Sequence, residues 1–235
     1  MIVWPQAVYV LIPAYKAAES LRIFLPKLLE VVPANKMFVV DDGSFDGTDE
    51  LCATFRLLYV SHDKNKGKGA ALATGFNVLL DKGAEAIITL DADGQHSVDD
   101  LERFIDAHEA NPLAGIIIGR RKIMLRHMPV MRIVSNRTTS FILSIMTGAS
   151  IPDSQCGYRL YSAMFLRSIT ISFPRFEMES EVIIKAVCLG FTVRFIDVQT
   201  LYLDGQSHIS HLIDTLRWIR AVVKTRLSIK RKGTA

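Results

Sequence analysis

Along the chain, short runs of β-branched and aliphatic residues alternate with longer stretches whose apolar positions return every three or four residues. The runs AVYVLI (7–12), KMFVVD (36–41), LLYV (57–60), EAIITL (85–90), AGIIIG (114–119) and VRFIDV (193–198) read as strands. Strands alternating with helical patterns predict an α/β fold, with a mostly parallel central sheet flanked by helices. The polar sequences fall immediately behind the strands: PAYKAAE, DDGSFDGT, DKNKGKGAA and DADGQH. Ligands of open α/β sheets bind beyond the carboxyl ends of the strands, so these four loops are expected to converge on one crevice.

Length and composition bound this picture. The 235 residues, 49% of them hydrophobic, suffice for one sizeable domain, and no linker-like stretch divides them. The expected organisation is a domain over 1–211 followed by an amphipathic basic helix and tail over 212–235. No apolar run approaches the roughly 18 to 20 residues that span a bilayer, and the start MIVWPQAVYVLIPAY has neither a basic n-region nor a small-residue cleavage site. A cytoplasmic location follows as the expectation. Cys52, Cys156 and Cys188 are odd in number and lack metal-ligand spacing, which argues against a disulfide framework or a zinc site.

The loops carry the candidate chemistry. In DDGSFDGTDE, capping of the next helix accounts for Asp46 and Thr48 but does not require both Asp41 and Asp42, so these two are candidates to accept hydrogen bonds from a nucleobase or ribose. In NKGKGAALATGF, Gly67 and Gly69 flank Lys68 at a helix mouth. That arrangement reads either as an ordinary strand-to-helix loop or as a phosphate cradle with Lys68 as its point charge. In DADGQH, Asp91, Asp93 and Gln95 fall on one side of an extended segment. Two carboxylates and an amide oxygen are hard ligands suited to Mg²⁺ or Mn²⁺, with water and phosphate completing the shell. His96 reads as a helix-entry residue.

VLIPAYKAAESL, VVDDGSFDGT, NKGKGAALATGF, DADGQH, IIGRR and DSQCGYRLY occur in the order found in the family 2 glycosyltransferases. The chain resembles most closely the branch with the GT-A fold, akin to dolichol-phosphate mannose synthase, that glycosylates polyprenyl phosphates. The resemblance implies that Pro13, Tyr15, Asp41, Asp42, Lys68 and Ala92 line the nucleotide-sugar site, and that Asp91, Asp93 and Gln95 hold the metal and the donor diphosphate. Lys16 and Ala17 stand where Asn and Glu are common, and Glu19 is the nearest replacement. On the acceptor side it implies that Arg121, Arg132 and Ser135 meet the acceptor phosphate, while Asp153, Gln155 and Arg159 approach the transferring sugar, with Asp153 orienting the acceptor. Glu177, Glu179 and Glu181 precede an apolar helix and suit its dipole; His208 is a minor candidate for phosphate contact.

The implied reaction is inverting transfer of a hexose from a GDP-mannose or UDP-glucose type donor to dolichyl or undecaprenyl phosphate. A saccharide or protein hydroxyl as acceptor, and a non-catalytic nucleotide- or membrane-binding regulator, are the alternatives. Nucleic acid is not an expected partner, whereas a membrane surface is, and a separate membrane-anchoring subunit remains open.

Net charge is only +4, but no acidic residue follows Asp214, while Arg217, Arg220, Lys224, Arg226, Lys230, Arg231 and Lys232 do. In HLIDTLRWIRAVVKTRL, the residues Leu212, Leu216, Ile219, Val223 and Leu227 form one apolar stripe beside that basic face. The stripe suits either the protein core or an anionic membrane surface, and peripheral membrane association is the expectation.

Overall fold

The computed structural model describes residues 4–121, 130–201 and 211–232, excluding the side chains of 130, 132, 211–214 and 230–232. Seven strands form one sheet: β1 (Val8–Ala14), β2 (Met37–Asp41), β3 (Leu58–Ser61), β4 (Ala86–Thr89), β5 (Ala114–Arg121), β6 (Arg159–Ser162) and β7 (Thr192–Val198), in the order β3-β2-β1-β4-β6-β5-β7. All pairings are parallel except those of β6, which runs antiparallel to both β4 and β5. Six of the seven strands match the apolar runs. The seventh, β6, reads only RLYS, with an arginine and a serine at its ends and no apolar run to mark it, and lies between β4 and β5.

The central strands are apolar on both faces because helices cover both, as parallel sheets require. Every residue of β2 and β4 is buried, whereas β3, at the sheet edge, buries only alternate side chains partially. Helices α1 (Ala18–Leu29), α2 (Thr48–Thr54), α3 (Lys68–Asp81), α4 (Leu101–Glu109), α5 (Val130–Thr147), α6 (Ala163–Ser168), α7 (Met178–Cys188) and α8 (His211–Lys232) complete the fold. Helix α7 is buried nearly all round; β5, β7, α5 and α8 all pack against it.

Parallel register brings the loop-bearing strand ends together. Ala14 of β1 lies opposite Asp41 of β2, and Leu11 lies opposite Thr89 of β4, so the segments after β1, β2 and β4 leave the sheet side by side. No described helix is long and apolar enough to cross a membrane.

Candidate active site

The floor of the cleft is stitched from backbone amides and carboxylates. Asp41 accepts from the Ser44 amide (3.2 Å) and from the Ser44 hydroxyl, whose oxygen accepts in turn from the Lys16 amide at 2.8 Å. This chain locks the β1 and β2 loops together and holds Lys16 at a left-handed φ of 52°. Asp46 caps two helices at once: Oδ2 accepts from the Ala18 amide at the start of α1, and Oδ1 from the Thr48 amide at the start of α2.

Beyond β4, Asp91 and Asp93 have different electrostatic surroundings. Lys68 Nζ lies 2.6 Å from Asp91 Oδ1 and 2.7 Å from Glu179 Oε1, while His96 Nε2 stands 3.4 Å from Asp91 Oδ2. Burial opposes ionisation of Asp91, but the Lys68 charge and the His96 contact outweigh it and hold this carboxyl far below its ordinary value. Lys68 responds in the opposite sense: burial disfavours its charge, yet Asp91 and Glu179 raise its pKa. Asp93 accepts only the Gln95 amide, at 3.0 Å, among its hydrogen bonds to the described residues. Although its side chain reaches solvent, the surrounding protein and then the Asp91 charge raise its pKa. An electron-rich carboxylate beside a second one is a good donor for a hard cation. Among the described residues no three acidic, His or Cys side chains form a cation cage by themselves. The donor set therefore fits Mg²⁺ or Mn²⁺ held by Asp93, Asp91 and Gln95 only with substrate phosphate and water completing the shell.

Across the cleft, Arg121 at the end of β5 grips Asp153 with two parallel hydrogen bonds, Nε to Oδ2 at 2.8 Å and Nη2 to Oδ1 at 3.0 Å. Asp153 also accepts from Asn136 Nδ2 at 3.0 Å and from the Gln155 amide at 3.2 Å. Burial pushes the Asp153 pKa up, but the Arg121 hydrogen bonds and charge prevail and lower it. Gln155 turns toward α5, with Nε2 at 3.4 Å from Ser135 Oγ and 3.2 Å from Thr139 Oγ1.

A family model described as glycosyl transferase family 2 matches residues 9–170, which include both halves of this cleft. The chain belongs to that family.

Two relatives of this family 2 glycosyltransferase are 34% identical to it. They are the polyprenol monophosphomannose synthase of Mycolicibacterium smegmatis, aligned over 71% of this chain and 66% of its own, and the undecaprenyl-phosphate mannosyltransferase of Micrococcus luteus, over 70% of each. The UDP-N-acetylglucosamine–dolichyl-phosphate N-acetylglucosaminyltransferase of Methanococcus voltae is 27% identical over 84% of this chain and 86% of its own. Among solved structures, glucosyl-3-phosphoglycerate synthase from Mycobacterium tuberculosis in complex with UDP superposes with a TM-score of 0.73 at 16% identity, covering 95% of this chain and 79% of that one. The fold is that of the GT-A glycosyltransferases.

Several side chains of the family 2 transferase differ in placement from their expected roles. Asp42 faces inward, with Oδ1 accepting from the Lys66 amide (2.9 Å) and standing 2.7 Å from His62 Nδ1, while Oδ2 accepts from the Gly67 amide (2.7 Å). With its oxygens so engaged, it anchors the β3–α3 loop rather than reaching for a nucleotide. Lys68 is no free phosphate counter-charge, because Asp91 and Glu179 hold it. The Gly67–Gly69 loop is not an open cradle either: a Cβ on either glycine would strike the 173–175 segment, and the Ala70 amide already donates to Pro174 O at 2.9 Å. Arg159 is 1% exposed and donates to the carbonyls of Cys156, Ser154 and Glu179, so it braces the 154–159 loop instead of touching sugar.

Of the remaining candidates, Tyr15 and Glu19 are exposed, Pro13 and Gln95 half-buried, Ala92 buried and Ser135 exposed. Arg132 lies on α5 with its side chain outside the described residues, as does all of His208. Glu179, 111 positions from Lys68, had no signal beyond its place in a first helical turn. His96 directly follows Gln95 and was within reach of the sequence. Gly157 is a third addition: a Cβ there would run into the Asp91 carboxylate, so the chain can pass so close only as glycine.

Proposed function

We propose that this protein transfers a sugar from a nucleotide diphosphate sugar to a polyprenyl phosphate, with inversion at the anomeric carbon. The observation that carries this reading is the state of Asp153. A hydroxyl acceptor requires a base, yet this carboxylate is buried, bound bidentately by Arg121, further engaged by Asn136 and Gln155, and lowered in pKa. A phosphate acceptor needs no such base, since its second ionisation falls near pH ~6 and supplies a dianionic nucleophile unaided. The relatives named for polyprenyl and dolichyl phosphate transfer support the same acceptor class.

In this reading Asp41, Tyr15 and Pro13 border the nucleotide, and Asp93 with Asp91 and Gln95 addresses its diphosphate through a divalent cation. That ion, when bound, supplies positive charge to the departing nucleoside diphosphate. Lys68 keeps Asp91 ionised and fixed, and His96 limits its rotation. On the other side Asp153 holds Arg121 in place, while Ser135, Gln155 and Arg132 border the acceptor phosphate. An oxygen of that phosphate attacks the anomeric carbon as the bond to the diphosphate breaks on the opposite face, which inverts the configuration.

The deciding assay offers a panel of GDP- and UDP-sugars to the protein with a short prenyl phosphate, with a free saccharide, or with neither. Turnover confined to the prenyl phosphate is expected. Transfer to the saccharide in the absence of prenyl phosphate would overturn the assignment.

A further inference from the structure

Helix α8 has two apolar faces, and among the described residues only one is packed against the rest of the chain. Ala221, Val222 and Thr225 are buried, Trp218 Nε1 donates to Ser180 of α7 at 2.8 Å, and Arg226 reaches Cys188 of the same helix. On the opposite side Leu216, Ile219, Val223 and Leu227 are 68%, 48%, 51% and 56% exposed. At about 100° per residue these four fall within an arc of about 80°. A helix that only covers a core carries polar residues on its far side; this one does not.

Helix α5 repeats the arrangement. It buries Ile133, Asn136, Ser140 and Leu143 and presents Met131, Val134, Phe141 and Ile145, which are 63%, 51%, 66% and 67% exposed, on its other face. Both helices pack against α7. Eight large apolar side chains, four on each of two helices packed against the same third helix, are not the scattered surface hydrophobics of an ordinary soluble face.

The charge around these stripes identifies what covers them. No acidic residue occurs from Arg120 to Pro152, a stretch containing Lys122, Arg126, Arg132 and Arg137, and none occurs after Asp214. Both outward stripes therefore lie in segments that are basic and free of acid, although the chain as a whole carries 24 acidic residues. Arg220 and Lys224 flank Val223 and Leu227 of the α8 stripe along one edge of the helix. Apolar ridges with basic flanks match an anionic bilayer, with acyl chains for the ridges and headgroups for the cations.

We propose that the outward faces of α5 and α8 form a two-helix docking surface for an anionic lipid bilayer. The inference rests on the lipid-phosphate reading above and extends it: Ser135 lies on α5 next to Val134, so docking this face brings the acceptor side of the cleft to the interface.

The test uses the full chain and co-sedimentation with phosphatidylcholine vesicles, with or without phosphatidylglycerol, at low and high salt. Two double variants, Phe141→Glu with Ile145→Glu and Val223→Glu with Leu227→Glu, alter exposed positions only. Wild type is expected on anionic vesicles at low salt and in the supernatant at high salt. Each variant pair should lose about tenfold or more of that binding, because apolar contact is lost and two charges of the wrong sign are added. Thermal stability and turnover of a water-soluble short prenyl phosphate should not change. Absence of vesicle binding, equal binding to neutral vesicles, or retention by either variant pair would overturn the proposal. So would a wild-type dimer in size-exclusion chromatography that these substitutions dissociate while vesicle binding persists, since the face would then join two copies. Failure to use the soluble prenyl phosphate despite salt-sensitive vesicle binding would sink the acceptor reading and leave the docking surface standing.

Discussion

Lys68 Nζ stands 2.6 Å from Asp91 Oδ1, inside the loop that also carries Asp93. A lysine thus occupies one oxygen of the carboxylate pair and is itself fixed from behind by Glu179. The cleft consequently presents less negative charge to a free cation than its motif suggests, and the balance is left for a substrate diphosphate. Lys68→Met keeps the length of the side chain and deletes the charge. Affinity for Mn²⁺ without nucleotide is expected to rise about tenfold, equivalent to about 1.4 kcal/mol of relieved competition. Mn²⁺ titration followed by electron paramagnetic resonance measures it, and unchanged or weaker binding would contradict the competition.

Asp93 has the opposite relation to the fold. Its raised pKa means that ionisation at neutral pH works against the native state, chiefly through the surrounding protein and the Asp91 charge. Asp93→Asn should therefore leave thermal stability equal or slightly higher while abolishing Mn²⁺ binding and sugar transfer. Calorimetric unfolding and metal titration on one preparation check both halves. A variant that unfolds more easily, or still turns over in excess EDTA, would remove Asp93 from the cation site.

Gly157 has an ordinary negative-φ backbone, so its substitution tests proximity alone. The added methyl of Gly157→Ala meets the Asp91 carboxylate, and forced overpacking costs about 1–3 kcal/mol. A double-mutant cycle separates this collision from a general backbone effect: in an Asp91→Ala background most of the cost should disappear. Additive losses would place the strain elsewhere.

Much of the architecture was readable because parallel strands buried on both faces are continuous apolar runs, and their polar loops follow at once. DADGQH stood out by the same local logic, two carboxylates directly behind a buried strand. What stayed hidden depended on partners distant in sequence. Asp42 looks like a ligand residue until the amides of Lys66 and Gly67, more than twenty positions on, are found on its oxygens. Lys68 looks free until Glu179 arrives from α7, and Gly67 and Gly69 look like a phosphate cradle until the 173–175 segment fills it. The α8 stripe was visible as a pattern, but periodicity cannot say which of two apolar faces a helix buries.

The Arg121–Asp153 pair makes a prediction about pH. Asp153 is buried, and its pKa lies below the reference value of 3.8 because the Arg121 hydrogen bonds and charge outweigh its desolvation. A carboxyl depressed in the folded state binds fewer protons there than in the unfolded chain. Its stabilisation is therefore complete above the unfolded pKa and lost as pH falls through the folded one. Unfolding free energy should decline as pH drops from about 5 toward about 2, and Asp153→Asn should flatten that decline. At pH 7 the same substitution leaves the partly buried Arg121 cation without its carboxylate, and breaking a fully buried pair costs about 3–5 kcal/mol, which sets the upper bound here. Arg121→Met with Asp153→Asn should recover part of that loss, since no uncompensated charge then remains. Urea unfolding of the three proteins, wild type, Asp153→Asn and the double variant, between pH 2 and pH 7 supplies all these quantities. An acid limb as steep in Asp153→Asn as in wild type would show that other carboxylates carry the acid sensitivity, and that the pair is weaker than its bidentate geometry implies.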